Sequence, residues 1–156
     1  MNKTILATAL GGLALAGMAT ALLTSFSASD LPPSDPTDRT LVAQGRGLYT
    51  TNCAQCHGAR LEGEDPDWKR RKETGVLYAP PHDVSGHTWH HPDSLLIAIM
   101  RDGGQAQAPA DFVSGMPAFG ETLRDADLGA ILAFIKSTWP KEVRARQAAI
   151  SQGATQ

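Results

Sequence analysis

The sequence predicts an all-α fold. Apolar residues recur at helical spacing in three separate segments, and no segment shows a convincing strand-like alternation. The stretches between the helices, 58–91 and 103–124, are rich in Gly, Pro and polar residues. Loops of that length in a small domain usually have a functional reason, and a large planar group wrapped by the loops would supply one.

The chain has 156 residues, enough for one domain plus a targeting segment. Residues 1–29 read as a signal peptide or an N-terminal membrane anchor. Lys3 is the only basic residue before Arg39, and Ile5 to Leu23 carry no charge. That run exceeds the ~7–15 residues of a signal-peptide core. It approaches the ~20 residues that span a bilayer as a helix. Ser25 with Ser27, or Ser27 with Ser29, offers a small-residue pair for cleavage, so both readings stand. Either one exports the rest of the chain, with Lys3 inside and the acidic stretch outside. Residues 30–40 read as a linker, the end of a Ser/Thr/Pro/Asp-rich stretch that spans on the order of 50 Å when extended.

The domain is expected over 41–140. Leu41, Val42, Gly45, Leu48 and Tyr49 form one face of a first helix that runs into Cys53. Pro92 starts a second helix, Leu95, Leu96, Ile99 and Met100 fill its buried face, and Gly103 stops it. A third begins near Asp125, buries Leu128, Ile131, Leu132 and Ile135, and ends before Pro140. Residues 141–156 form a polar, Ala-containing tail, either a helical extension or disordered chain.

Hydrophobic residues make up 42% of the chain and charged ones 19%, which sustains a packed core. The net charge of −2, with no long basic block, argues against a nucleic-acid partner. Two cysteines are too few for a disulfide framework. They stand in Cys53-Ala54-Gln55-Cys56-His57. Thiols at this spacing can each add to one vinyl group of a haem, and the adjacent His57 then meets the iron from the same side. Other readings are weaker. A thioredoxin-like pair needs a βαβ context. A zinc site needs two further ligands, from among His82, His87, His90 or His91. A local disulfide gives His57 no role. The chemistry expected is one covalent haem c on Cys53 and Cys56, with His57 on the iron.

An electron-carrying haem needs a second soft axial ligand. Met116 lies in Ser114-Gly115-Met116-Pro117-Ala118-Phe119, ahead of the last helix. Met/His ligation raises the potential. With both axial sites filled, no position stays open for a substrate. Met1 and Met18 belong to the targeting segment, and Met100 falls on a predicted helix as a core residue.

These residues resemble a class I cytochrome c. The matching features are CAQCH, the Met-Pro-x-Phe segment and a terminal helix ending in LAFIKSTW, over about residues 41–140. Gly45 and Tyr49 match the Gly-x-x-x-aromatic face of the family's first helix, and Ile131, Phe134 and Ile135 the facing positions of its last. The resemblance implies that these two helices cross closely. That explains a glycine inside a helix, at a cost of about 1 kcal/mol relative to Ala. Ala79-Pro80-Pro81 resembles the family segment in which a proline carbonyl accepts from the axial histidine, a role that falls to Pro80. His82 departs from the family, which usually has an apolar residue there. The implied function is one-electron transfer through an exposed haem edge. The implied partners are respiratory membrane complexes, terminal oxidases or exported dehydrogenases, at the periplasm or the periplasmic face of the cytoplasmic membrane.

His82, His87, His90 and His91 are the unusual feature, four of the five histidines. They suit a copper or zinc site, a propionate contact or a proton-linked tuning element, but with no second Cys or Met cluster beside them the favoured reading is a polar loop bonded to backbone and water. The Trp89 indole is a candidate propionate donor or a packed aromatic. Lys69-Arg70-Arg71-Lys72, after Glu62, Glu64, Asp65 and Asp67, reads as a mixed-charge loop or a docking patch. Rival functions are a haem peroxidase, the cytochrome subunit of a dehydrogenase or oxidase, and a metal-handling module built on the histidine loop.

Overall fold

The computed structural model describes residues 31–154. Among them are five α-helices: α1 Arg39–Asn52, α2 Ala54–His57, α3 Asp93–Asp102, α4 Asp125–Ser137 and α5 Lys141–Gly153. The described residues contain no β-strand, only an isolated bridge between Arg71 and Leu77. None of their helices is long and apolar enough to cross a membrane. Residues 1–29, read as signal or anchor, lie outside them.

Helix α1 starts two residues before the apolar pattern does, because Asp38 caps it. Its carboxylate accepts from the backbone N–H groups of Thr40 and Leu41 at 2.9 and 3.1 Å. Helix α3 follows Pro92 and stops at Gly103, whose φ of +85° suits glycine alone. Helix α4 begins where Asp127 accepts from the N–H of Arg124 at 3.2 Å and from its guanidinium at 2.9 and 3.0 Å.

Helix α4 is the centre of the core. Every residue from Asp127 to Lys136 is buried, so the apolar stripe read from the sequence widens to the whole circumference. Helix α1 crosses it at Gly45. A Cβ there would collide with the Ala130 carbonyl oxygen and stand 3.0 Å from the Phe134 Cβ. Tyr49, one turn on, packs its ring on Phe134 at 5.4 Å. Leu96, Ile97 and Met100 of α3 close the same core.

Two segments outside the predicted helices are also fastened to this core. Pro32 and Pro33 lie over Gly129, and the Ser34 hydroxyl donates to Asp93 at 2.9 Å. The linker reading gives way over these residues, because side chains distant in sequence hold them. The tail is helical as α5, and polar contacts dock it. Gln147 is fully buried, and its Nε2 donates to the His91 carbonyl at 3.1 Å and to Asp93 at 2.7 Å.

Candidate haem site

The turn that carries the motif sits directly on the end of α1. Cys53 caps α1 and leads into the single turn of α2, which ends on His57. Both thiols are free, Cys53 half-buried and Cys56 exposed. Burial, and then the neighbouring Cys56, push the Cys53 thiol up to about 11. A thiol–disulfide exchange centre needs the opposite shift. Both thiols are thus available for thioether attachment.

His57 is 7% exposed, and the Pro80 carbonyl oxygen lies 2.8 Å from its Nδ1. A carbonyl only accepts, so Nδ1 carries the proton and Nε2 presents its lone pair. Burial holds the ring below the usual histidine range, against the opposing pull of the Pro80 carbonyl and the Glu64 charge. A neutral imidazole with a free Nε2 is the form that binds a metal.

The loop around His57 is tied at several points. The buried Tyr49 hydroxyl donates to the carbonyls of His57 and Gly58 at 3.3 and 3.0 Å. Gly63, at φ +81°, donates its N–H to the His57 carbonyl at 2.8 Å. A Cβ on Gly63 would stand 2.8 Å from the Pro81 nitrogen, so only glycine lets the two loops meet. Glu64 completes the seam. Its carboxylate accepts from the Ala79 N–H at 3.0 Å and from Lys72 at 2.6 Å, and its N–H donates to the Ala79 carbonyl at 3.0 Å. Pro80 is thus held from the segment that follows His57.

Met116 occupies a loop stitched to the end of α3. Its N–H donates to the Ser114 hydroxyl at 3.2 Å, and its carbonyl accepts from the Gly104 N–H at 3.1 Å. Phe119 and Gly120 donate to the carbonyls of Met100 and Arg101 at 3.0 and 2.9 Å. Met116, Cys53, Ala54 and Trp89 all pack, partly buried, against one core cluster. Met100 is buried within that cluster.

The histidine loop does not converge. His82 stacks on His57, while His87 stacks on Trp68 at 4.9 Å and meets His91 edge-on at 5.2 Å. His90 lies on Trp89 at 3.7 Å. Among the described residues no three His, Cys, Asp or Glu side chains are grouped to hold a metal. Burial holds His87 below the usual range, and the charges of His91, His90 and Lys69 push the same way. The mixed-charge loop is internally paired: Arg70 faces Asp65 and Asp67 at 3.6 and 3.8 Å.

The residues fit a haem. The donor set is two free thiols, a neutral imidazole and a thioether around one apolar core. The buried Trp89 Nε1 has no partner among the described residues, so a donor stands ready for an acidic group. Sequence reasoning missed the roles of Glu64, Thr88 and Trp139. Trp139 is buried, and its Nε1 donates to the His82 carbonyl at 2.7 Å. The signals were the Trp at the end of LAFIKSTW and, for Glu64, its place in the acidic run.

No curated protein and no solved structure matches the chain. The family model described as Cytochrome c matches residues 42–139. The chain therefore belongs to the cytochrome c family as a class I member, a haem-binding electron carrier.

Proposed function

We propose that the chain carries one haem c, attached through thioethers to Cys53 and Cys56, with His57 and Met116 as axial ligands. The single observation that carries this is the His57 ring: buried and bonded through Nδ1 to the Pro80 carbonyl at 2.8 Å, beside two free thiols. When bound, the haem supplies a reversible one-electron couple at iron.

The chain's own residues set the conditions for that couple. Pro80 fixes the His57 tautomer and increases the basicity of Nε2. The Met116 thioether favours the reduced metal and so raises the potential. The burial of His57 and the packing of Met116 on the core would limit water at a bound group. The Trp89 indole N–H serves a propionate.

The proposed setting is the periplasm or the periplasmic face of the cytoplasmic membrane. Partners are membrane-associated redox complexes or an exported dehydrogenase, and the chain serves either as a free carrier or as a subunit of such a complex. If residues 1–29 anchor it, tethering raises the effective concentration of membrane partners.

An absorption spectrum of the exported protein, with Met116→Ala beside it, tests the ligation. The wild type should be low-spin and six-coordinate in both oxidation states. The variant should lose the Met–iron signature and fall in potential. An unchanged signature removes Met116, and an open axial site in the wild type favours a peroxidase.

A further inference from the structure

The proposed centre leaves one contact at His57 without a role. The His82 imidazole lies against that of His57, with ring centroids 4.0 Å apart and planes 26° from parallel. His57 has need of such a neighbour. Its ring hydrogen bond runs from Nδ1 to Pro80. Nδ1 sits close to the axis along which Nε2 meets a metal, so this bond has a short lever arm against rotation about that axis. Carbonyl acceptors also tolerate a broad range of donor directions. A flat ring over the face of His57 resists the same rotation by steric contact across the whole ring width.

A clamp works only if it is itself fixed, and His82 is fixed on every side. Its Nδ1 lies 2.8 Å from the hydroxyl of the buried Thr88. Its backbone N–H donates to the Leu61 carbonyl at 2.8 Å. Its carbonyl accepts from the Trp139 indole at 2.7 Å. The Tyr49 ring meets it edge-on at 6.2 Å, and the same tyrosine hydroxyl bonds the His57 carbonyl. Helix α1 through Tyr49 and the 3-10 turn at Thr88–His90 therefore bear on the ring, while Trp139, just beyond α4, holds its backbone carbonyl.

We propose that His82 is a positioning residue for His57: its stacked ring fixes the plane of the iron-binding imidazole, while the Pro80 carbonyl fixes its tautomer. This rests on the proposed ligation by His57. Leucine at 82 would fill much of the space but present no flat face. Phenylalanine would keep the face and lose only the bond to Thr88.

The test uses the full-length holoprotein and the variants His82→Leu, His82→Phe and Thr88→Val. Three quantities are read: covalent haem content, the Met–iron absorption, and the proton NMR shifts of the haem methyl groups in the ferric state. Those shifts report the plane of the axial imidazole, which a merely structural residue would not move. His82→Leu should keep haem and the Met–iron absorption but change the order or spread of the methyl resonances. His82→Phe should restore most of the wild-type pattern. Thr88→Val, which removes the same bond that phenylalanine lacks, should shift it in the same sense as His82→Leu, but only by the small amount that His82→Phe leaves. Unaltered resonances in His82→Leu overturn the proposal. If that variant yields no holoprotein, Thr88→Val decides: a shift supports the clamp and an unaltered pattern overturns it. Wild-type protein lacking thioether-bound haem would overturn the ligation itself, whereas haem-loaded variants with unaltered resonances overturn only the role of His82.

Discussion

Two side chains near the haem site are defined by what they lack or hold. The Trp89 Nε1 is buried with no partner among the described residues, and Arg146 lies over the partly buried ring at 5.1 Å. A buried donor without a partner costs about 1–3 kcal/mol, so it persists where a ligand completes it. Trp89→Phe keeps most of the ring and removes the donor. It should cost the holoprotein about 1–2 kcal/mol in denaturant unfolding; no change would mean that the indole serves only packing. The Trp139 indole is already satisfied by the His82 carbonyl. Trp139→Phe should cost a similar about 1–3 kcal/mol, read in the same titration, since it strands a carbonyl that anchors the site.

Among the elements, the crossing of α1 on α4 limits what the sequence can vary. Gly45→Ala places a methyl group against the Ala130 carbonyl. The helix would gain about 1 kcal/mol of propensity, but overpacking a tight contact costs about 1–3 kcal/mol. The net expectation is a lower melting temperature of the holoprotein; a higher one would mean that α1 can back away from α4. Helices α1, α3 and α4 were legible because each shows an apolar face to the core, and Gly45 and Tyr49 stood within that pattern. Helix α5 was not legible as a docked element. It is held by Gln147 and Ser151, and polar docking leaves no apolar stripe to read. At the site, CAQCH was singled out from its spacing and Met116 from its place in a Gly/Pro-marked loop ahead of the last helix, whereas Pro80 was named only through the family resemblance. The stack of His82 on His57 and the bond from Glu64 to Ala79 were not legible. They depend on how two long loops fold back, and no local periodicity records that path.

At the scale of the molecule, one partly buried carboxylate ties four of its segments together. Asp93 accepts from Ser34, Lys136 and Gln147 at 2.9, 2.8 and 2.7 Å, joining the N-terminal segment, α3, α4 and α5. Its removal from water pushes its pKa up, but Lys136 and the hydrogen bonds outweigh this and hold it below the usual aspartate range. A carboxylate depressed in the folded state adds stability above its unfolded value of about 3.9, and that contribution is lost as pH falls towards the folded value. Asp93→Ala should cost about 3 kcal/mol at neutral pH by leaving Lys136 unpaired, and the loss should shrink in acid. A deficit independent of pH would contradict the ion pair. Covalent attachment of the cofactor is the claim on which the molecule's function stands, and intact-mass spectrometry reads it directly. After expression with a haem-ligation pathway and denaturation in acid, the chain should carry the added mass of about one haem. A chain that keeps two free thiols and no added haem would contradict it.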